Sequence, residues 1–424
     1  MSLRSQNTAL NDLLDARLAS LAGEEQLSPS LILDAIEAGG MVLLGNPAHA
    51  GLRPLLVGQP SRVKVNANIG TSPLRNCAAT ELRKLQTALE SGADTVMDLS
   101  IAGDLDAIRR AMLEACPLPL GTVPMYAVGQ RLLDDGREVA SMRPDELFTE
   151  IARQARQGVD FMTVHCGLSL RGAEMAVKQE RAMGIVSRGG SMLARWMLEN
   201  NRENPLLEYF DRLLDVCREF NVTLSLGDGL RPGAGVDAGD AAQWEEVINL
   251  GRLAAYARER GVQCMIEGPG HVPMHLVRTQ IQGIKRLTGN APLYVLGPLT
   301  IDSAPGYDHI AGAIGGAMAV EAGVDFLCYL TPAEHLTLPD EADVRAGVLA
   351  SRVAAQAGEV ALGRPRAVAR EAAMNAARKA LDWGCMRDAA LDPAQLDARR
   401  EEHKHEDVCA MCGKFCAVRM LQGK

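Results

Sequence analysis

Eight short apolar runs, each closing on polar residues, Gly or Pro and each followed by helix-like sequence, constrain this chain more than any other feature. They are VKVNANIG (63–70), TVMDLS (95–100), LGTVPMY (120–126), FMTVHCG (161–167), VTLSLGDG (222–229), VQCMIEGPG (262–270), PLYVLGPL (292–299) and FLCYLTP (326–332). Uninterrupted apolar runs suit parallel strands buried on both faces, and the intervals between them leave room for crossover helices. ELFTEIARQARQG (146–158) and WEEVINLGRLAAYARERG (244–261) have that helical periodicity and end at Gly. Eight such units predict a closed (β/α)8 barrel over residues 61–340. An open doubly wound sheet is the alternative, and IVSRGG (185–190) is a candidate ninth strand.

Polar residues gather at the C-terminal ends of these runs: Asn66 and Asn68, Asp98, Tyr126, His165, Asp228, Glu267 and His271, Tyr294, Glu334 and His335. In a barrel those ends open on one mouth, where active sites sit. Chance polarity would scatter over both ends, so the asymmetry points to an enzyme.

Residues 1–60 read as an N-terminal extension. Two helical patterns (8–21 and 29–38) precede an irregular stretch, GNPAHAGLRPLLVGQP, punctuated by Gly and Pro. Residues 341–396 are Ala-rich helices expected to pack outside the barrel. Residues 397–424 hold a charged, solvated linker, DARREEHKHED (397–407), and a cysteine tail. Flexibility there would let the tail fold over a barrel mouth, its own or a partner's.

The balance of 53 acidic against 44 basic residues, net −9, argues against nucleic acid or an anionic membrane surface as partner. The N-terminal run MSLRSQNTALNDLLDARLASL lacks the apolar stretch of a signal peptide, and no segment approaches the ~20 apolar residues of a membrane span. The expected location is therefore the cytoplasm, where cysteines stay reduced. Of the ten, Cys77, Cys116, Cys166, Cys217, Cys264, Cys328 and Cys385 are dispersed and read as small buried hydrophobes.

The other three form CAMCGKFC, with Cys409, Cys412 and Cys416 on one short loop. Three thiolates can hold three irons of a 4Fe–4S cluster and leave the fourth open, where S-adenosylmethionine can chelate and be split to a 5′-deoxyadenosyl radical. Structural zinc, with His403 or His405 as fourth ligand, fits the same spacing. A second constellation, GPGHVPMH with TPAEHL, puts His271 and His335 just past two different strands, so a barrel could bring both imidazoles to one divalent metal. Glu267 could serve there as a third ligand, an orienting group or a substrate contact, while His275 and His309 are weaker candidates. Ser187-Arg188-Gly189-Gly190 and Asp228-Gly229-Leu230-Arg231 combine pliant backbone with a guanidinium, which suits a phosphate, although GDGLRPG is equally an ordinary turn. Met97, Tyr126 and Tyr294 suit a pocket wall.

The strings VKVNANIG, GADTVMDLS, GTVPMY, VHCG, IVSRGGS, SLGDGLRPG, MIEGPGHVPM, YVLGPLT, DSAPGYDHI, LCYLTPAEHL and CAMCGKFCA run in order from about residue 62 to 420. Together they resemble the radical S-adenosylmethionine family of phosphomethylpyrimidine synthase (thiamine biosynthesis) and 5-hydroxybenzimidazole synthase (anaerobic cobamide biosynthesis). The resemblance implies a (β/α)8 barrel, a homodimer, a reducing electron donor and 5-aminoimidazole ribotide as substrate. It implies that Asn68, Met97, Tyr126, His165, Ser187, Arg188, Gly189, Asp228, Gly229, Leu230, Arg231, Glu267 and Tyr294 surround that substrate. It further implies that His271 and His335 hold zinc and that the three tail cysteines hold the 4Fe–4S cluster. Several strings depart from the thiamine branch. The usual N-terminal ARxGxIT-like run is missing, DLSTG reads DLSIAG, the segment DWGCMRDAALDP lacks a W-x-x-Q-F pattern, and the chain has the short forms of the N-terminal region and of the tail spacing. These departures lean the expected product to 5-hydroxybenzimidazole, with hydroxymethylpyrimidine phosphate as the alternative. Two readings from other classes are a zinc-stabilised protein that binds a phosphorylated metabolite without chemistry and an aldolase-type barrel using His271 and His335.

Overall fold

A computed structural model describes residues 2–420. All eight apolar runs are strands. After a two-stranded hairpin, β1 (Val42–Leu44) and β2 (Leu55–Val57), come β3 (Lys64–Ile69), β4 (Thr95–Asp98), β5 (Leu120–Thr122), β6 (Phe161–Val164), β7 (Thr223–Leu226), β8 (Cys264–Gly268), β9 (Leu293–Leu296) and β10 (Phe326–Cys328). β3 to β10 pair in parallel, each with its neighbour in sequence, and β10 closes on β3. Val65, Val96, Leu120, Phe161, Leu224, Ile266, Leu293 and Phe326 are fully buried, as strands covered on both faces require. The barrel is therefore closed, not an open sheet. The SRGG segment is not a ninth strand: Ser187 caps a helix over Arg188–Asn200, its hydroxyl accepting from Gly190 N–H. The two crossover helices read from periodicity are Pro144–Gln157, ended by Gly158 at φ +107°, and Ala241–Glu259.

Residues 2–60 are bound closely to the barrel floor. Helices Thr8–Glu25 and Pro29–Ala38 match the two expected patterns. The stretch expected to be irregular contains β2, whose three residues are too short to show a period of two. Buried polar groups then join this segment to the N-terminal ends of the strands. Gln263 exchanges hydrogen bonds with Leu43 N–H and C=O, Asn46 N–H donates to Asp160, and the imidazole of His49 lies 2.7 Å from Asp160. This segment covers the N-terminal ends of the strands, and the C-terminal ends form the mouth.

Packing inside the barrel is tight at Gly121 on β5. A Cβ there would lie 2.3 Å from the Phe161 ring and 2.8 Å from Met97 Cγ. Gly121→Ala is expected to lower stability by about 1–3 kcal/mol in urea denaturation, because neither ring nor thioether can withdraw without opening a void. An unchanged midpoint would show that the barrel relaxes there.

The contacts divide the chain into two compact units, one running to Ala355 and one from Gln356. The second contains helices Pro365–Ala380, Trp383–Ala389 and Pro393–Arg400. The charged run at 397–407 is almost wholly solvent-exposed, and it carries structure: its first residues complete the last of these helices, and the rest is held to it. The Arg400 guanidinium lies 3.8 Å over the Trp383 ring and donates to the carbonyls of Glu406 and Val408, while Trp383 Nε1 donates to Asp407 C=O. No described helix is long and apolar enough to cross a membrane.

Candidate active site

Side chains from all eight barrel strands, or from the loops just after them, converge on one pocket at the mouth. Asn68, Met97, Tyr126, His165, Asp228, Arg231, Glu267 and Tyr294 line it, together with Leu99, Val123, Thr163, Leu296 and Cys328. Tyr294 is only the second residue of β9, yet it pairs across from Glu267 near the end of β8. The stagger of a closed barrel lifts it to that level.

The pocket is wired by hydrogen bonds. Asn66, below Asn68 on the same strand face, donates to Asn68 Oδ1 (2.7 Å) and to Tyr294 Oη (2.8 Å) and accepts from Thr95. Asn68 Nδ2 donates to Cys328 Sγ at 3.0 Å. Glu267 accepts from Thr163 (2.6 Å) and Ser225 (3.2 Å). Burial pushes the Glu267 carboxyl up, against the pull of Thr163 and Arg231. Asp228 Oδ1 accepts from Arg231 at 3.1 Å, whereas Asp228 Oδ2 is buried without a partner. Burial raises the Asp228 carboxyl, and the adjoining Arg231 charge and hydrogen bond pull it back toward the ionised form. A buried, unpartnered carboxylate oxygen beside a cation calls for a donor from a bound molecule.

His165 is clamped. A Cβ on Gly189 would lie 2.3 Å from its ring and one on Gly227 would lie 2.9 Å away, and Ser187 Oγ stands 2.9 Å from Nε2. Burial, reinforced by the Arg231 charge, lowers this imidazole from 6.5 to about 3. It is thus neutral at working pH. The unfolded chain takes up this proton more readily than the folded one. His165 therefore favours folding above 6.5, and that contribution is lost as the pH falls toward about 3. NMR is expected to show one histidine that does not titrate between about pH 5 and 8, and His165→Gln should remove its resonance. A His165 signal titrating near its ordinary value would refute the clamp.

The two Gly-rich segments lie against each other, and a Cβ on Gly190 would meet Gly229 Cα at 2.6 Å. Ser187 caps the helix and is buried. Arg188, the next residue, is exposed and stacks 4.8 Å over the Tyr126 ring. In the GDGL turn the amides of Gly229 and Leu230 donate to the two oxygens of Glu246, and Leu230 is fully buried. The structure thus places the side chains of Asp228 and Arg231 in the pocket, and gives the amides between them to Glu246. Asp98 bonds Ser100 N–H and does not line the pocket.

Thr163 and Cys328 were not anticipated as lining residues. Thr163 had a signal, since it lies two residues before His165 and so on the same strand face. Cys328 is buried, as expected of the dispersed cysteines, and lines the pocket as well, whereas Cys77 and Cys385 are exposed.

His271 and His335 do come together, with ring centroids 5.2 Å apart and the planes tilted by 42°. Among the described residues no group of three His, Cys, Asp or Glu side chains is assembled around a single point. Two imidazoles thus leave the remaining positions of any bound metal open. His275 and His309 do not join them. The tail cysteines are all free, and Gly413 between them takes φ +49°. Amides of Cys412 and Met411 lower the Cys409 thiol, favouring the thiolate that metals bind. Three thiols, one with backbone support, on one short turn fit an iron–sulfur ligand loop.

Comparison with known proteins gives the same direction. The model of the radical SAM ThiC family matches residues 5–423. A phosphomethylpyrimidine synthase of Desulforamulus reducens is 49% identical over 95% of this chain and 93% of its own length. Those of Caldanaerobacter subterraneus (46%; 97% and 96%) and Dehalococcoides mccartyi (48%; 98% and 96%) match similarly. Among solved structures, the dihydropteroate synthase of Thermus thermophilus aligns at 15% identity over 75% of this chain and 99% of that one, with a TM-score of 0.42.

Proposed function

Because the chain belongs to the radical SAM ThiC family, we propose that it converts 5-aminoimidazole ribotide into hydroxymethylpyrimidine phosphate, the pyrimidine precursor of thiamine. The 5-hydroxybenzimidazole product favoured on the departures from the thiamine branch gives way. Relatives at 46–49% identity over nearly the whole chain carry the name of the pyrimidine-forming enzyme. Ile101 and Ala102 of DLSIAG also lie outside the pocket lining.

The observation that carries this reading is the unpartnered Asp228 oxygen, buried beside Arg231 in a pocket that also presents Asn68, His165 and Glu267. A ribose offers hydroxyls to such acceptors, and an aminoimidazole offers an amine. Arg188, opening the helix that Ser187 caps, would meet the phosphate together with the helix N-terminus. Met97, Tyr126, Leu99 and Leu296 keep water from the ring and sugar. Neutral His165 adds one hydrogen bond without a competing charge, and Glu267, fixed by Thr163 and Ser225, adds another. These residues hold one ribose carbon in register, which is the main demand that radical chemistry makes on a protein.

Cys409, Cys412 and Cys416 would hold the 4Fe–4S cluster, which with S-adenosylmethionine and an external one-electron reductant supplies a 5′-deoxyadenosyl radical. His271 and His335 would hold a divalent metal such as zinc. A homodimer belongs to this reading too.

The experiment is an anaerobic incubation of reconstituted, reduced enzyme with S-adenosylmethionine and 5-aminoimidazole ribotide, with products identified by mass spectrometry. Hydroxymethylpyrimidine phosphate is expected. 5-Hydroxybenzimidazole would overturn the product. A chain that binds zinc and ribotide but turns nothing over would overturn the activity.

A further inference from the structure

We infer that Asp302 and Asp308 are positioning residues, each carboxylate holding the Nδ1–H form of one imidazole so that His271 and His335 both turn Nε2 toward a single divalent cation. This rests on the metal-binding role proposed above for the two histidines and goes beyond it.

Asp302 lies in the loop after β9. Its Oδ1 stands 2.8 Å from His271 Nδ1, and its Oδ2 accepts from Gly235 N–H at 2.8 Å. One carboxylate thus ties together the loops that follow β7, β8 and β9. With Nδ1 engaged, the only ring nitrogen left to His271 as a ligand is Nε2. Metal-bound histidines are commonly oriented in this way by a carboxylate on the other nitrogen.

His335 repeats the arrangement less tightly. Its Nδ1 lies 3.7 Å from Oδ1 of Asp308, just beyond hydrogen-bond length. Asp308 is only 6% exposed and its Oδ2 is buried without a partner. As the first residue of helix Asp308–Ala322 it could serve the helix alone. A capping role would have it accept from an amide of the first turn, and it accepts none. His335 also takes φ +61°, a left-handed backbone uncommon for a residue with a Cβ, and its ring lies beside that of His271.

The spacing of the pair agrees. Two imidazoles bound through Nε2 at ~2.1 Å and a tetrahedral angle have centroids roughly 5.4 Å apart. The two rings stand at 5.2 Å.

The test uses the full chain and the isosteric variants Asp302→Asn and Asp308→Asn. An asparagine amide can donate to Nδ1, which moves the ring proton to Nε2 and blocks the ligand without removing bulk. Nitrogen NMR of histidine-labelled protein, above the imidazole titration range, reads the tautomers without metal, and His271→Gln and His335→Gln identify the signals. Zinc titration against a chelating indicator reads affinity, with the site defined as the binding lost in the His271→Gln/His335→Gln double variant. The expected result is Nδ1–H at both rings in the parent chain. Each Asn variant should shift its own ring to Nε2–H and weaken zinc about 10–100-fold, with thermal stability retained. Unchanged tautomers and unchanged zinc affinity in both variants would overturn the inference while leaving the histidine site intact. Zinc binding that the double histidine variant does not reduce would remove the metal site itself, and the inference with it.

Discussion

Cys412→Ser is expected to yield a colourless chain after anaerobic reconstitution, with no turnover and no 5′-deoxyadenosine. An iron–sulfur cluster needs thiolates, and a serine hydroxyl does not ionise at neutral pH. Two remaining thiols on the loop leave two irons without protein ligands, so the loss should be complete, not graded. Cys412 is exposed and lies in the second compact unit, so its replacement removes no packing from the barrel. The variant should therefore keep the thermal stability of the parent barrel and its affinity for aminoimidazole ribotide. Cys385→Ser is the control: also an exposed thiol of that unit, outside the loop, it should leave iron content and activity unchanged. Equal loss of iron in both variants would contradict a cluster held by the tail loop.

Asp228→Asn carries the second largest effect. The Asp228 carboxylate joins Arg231 through one oxygen and keeps the other buried and open. The amide has the same shape, but it presents a donor where either Arg231 or the substrate needs an acceptor. Hydrogen bonds to charged groups are worth about 1.5–3 kcal/mol, so kcat/KM for the ribotide should fall roughly 10- to 150-fold. If this oxygen binds substrate in its ground state, the loss appears in KM and in the Kd of the unreacted ribotide. If it acts only as the ribose rearranges, the loss appears in kcat. Asp228→Ala should lose more and also destabilise the fold, because it leaves the Arg231 charge without its partner. A full-rate Asp228→Asn enzyme would remove this residue from the site.

Much of this was legible because a parallel barrel writes the same signal eight times. FMTVHCG and VTLSLGDG are mostly apolar, broken only by Thr and Ser, and His165 and Asp228 fall at one end; both became strands with those ends in the pocket. What escaped was set by tertiary contact. β2 has three residues and no detectable period. Ser187 to Gly190 read as strand or phosphate loop because Gly permits both. In the structure Gly189 and Gly190 are small because the His165 ring and the Gly229 backbone press on them. Gly229 and Leu230 looked like free amides, and only the fold brings the Glu246 carboxylate within reach of both. Asp302 and Asp308 carried no signal in the string DSAPGYDH, since nothing local states that each will stand beside a histidine from another loop.

Formation of 5′-deoxyadenosine by the wild-type chain tests the account most directly. Anaerobically reconstituted and reduced protein, given S-adenosylmethionine, should be brown, contain iron and acid-labile sulfide, and release 5′-deoxyadenosine in step with consumption of added 5-aminoimidazole ribotide. A protein that stays colourless, or one that holds a cluster yet releases no 5′-deoxyadenosine when the ribotide is present, would contradict it.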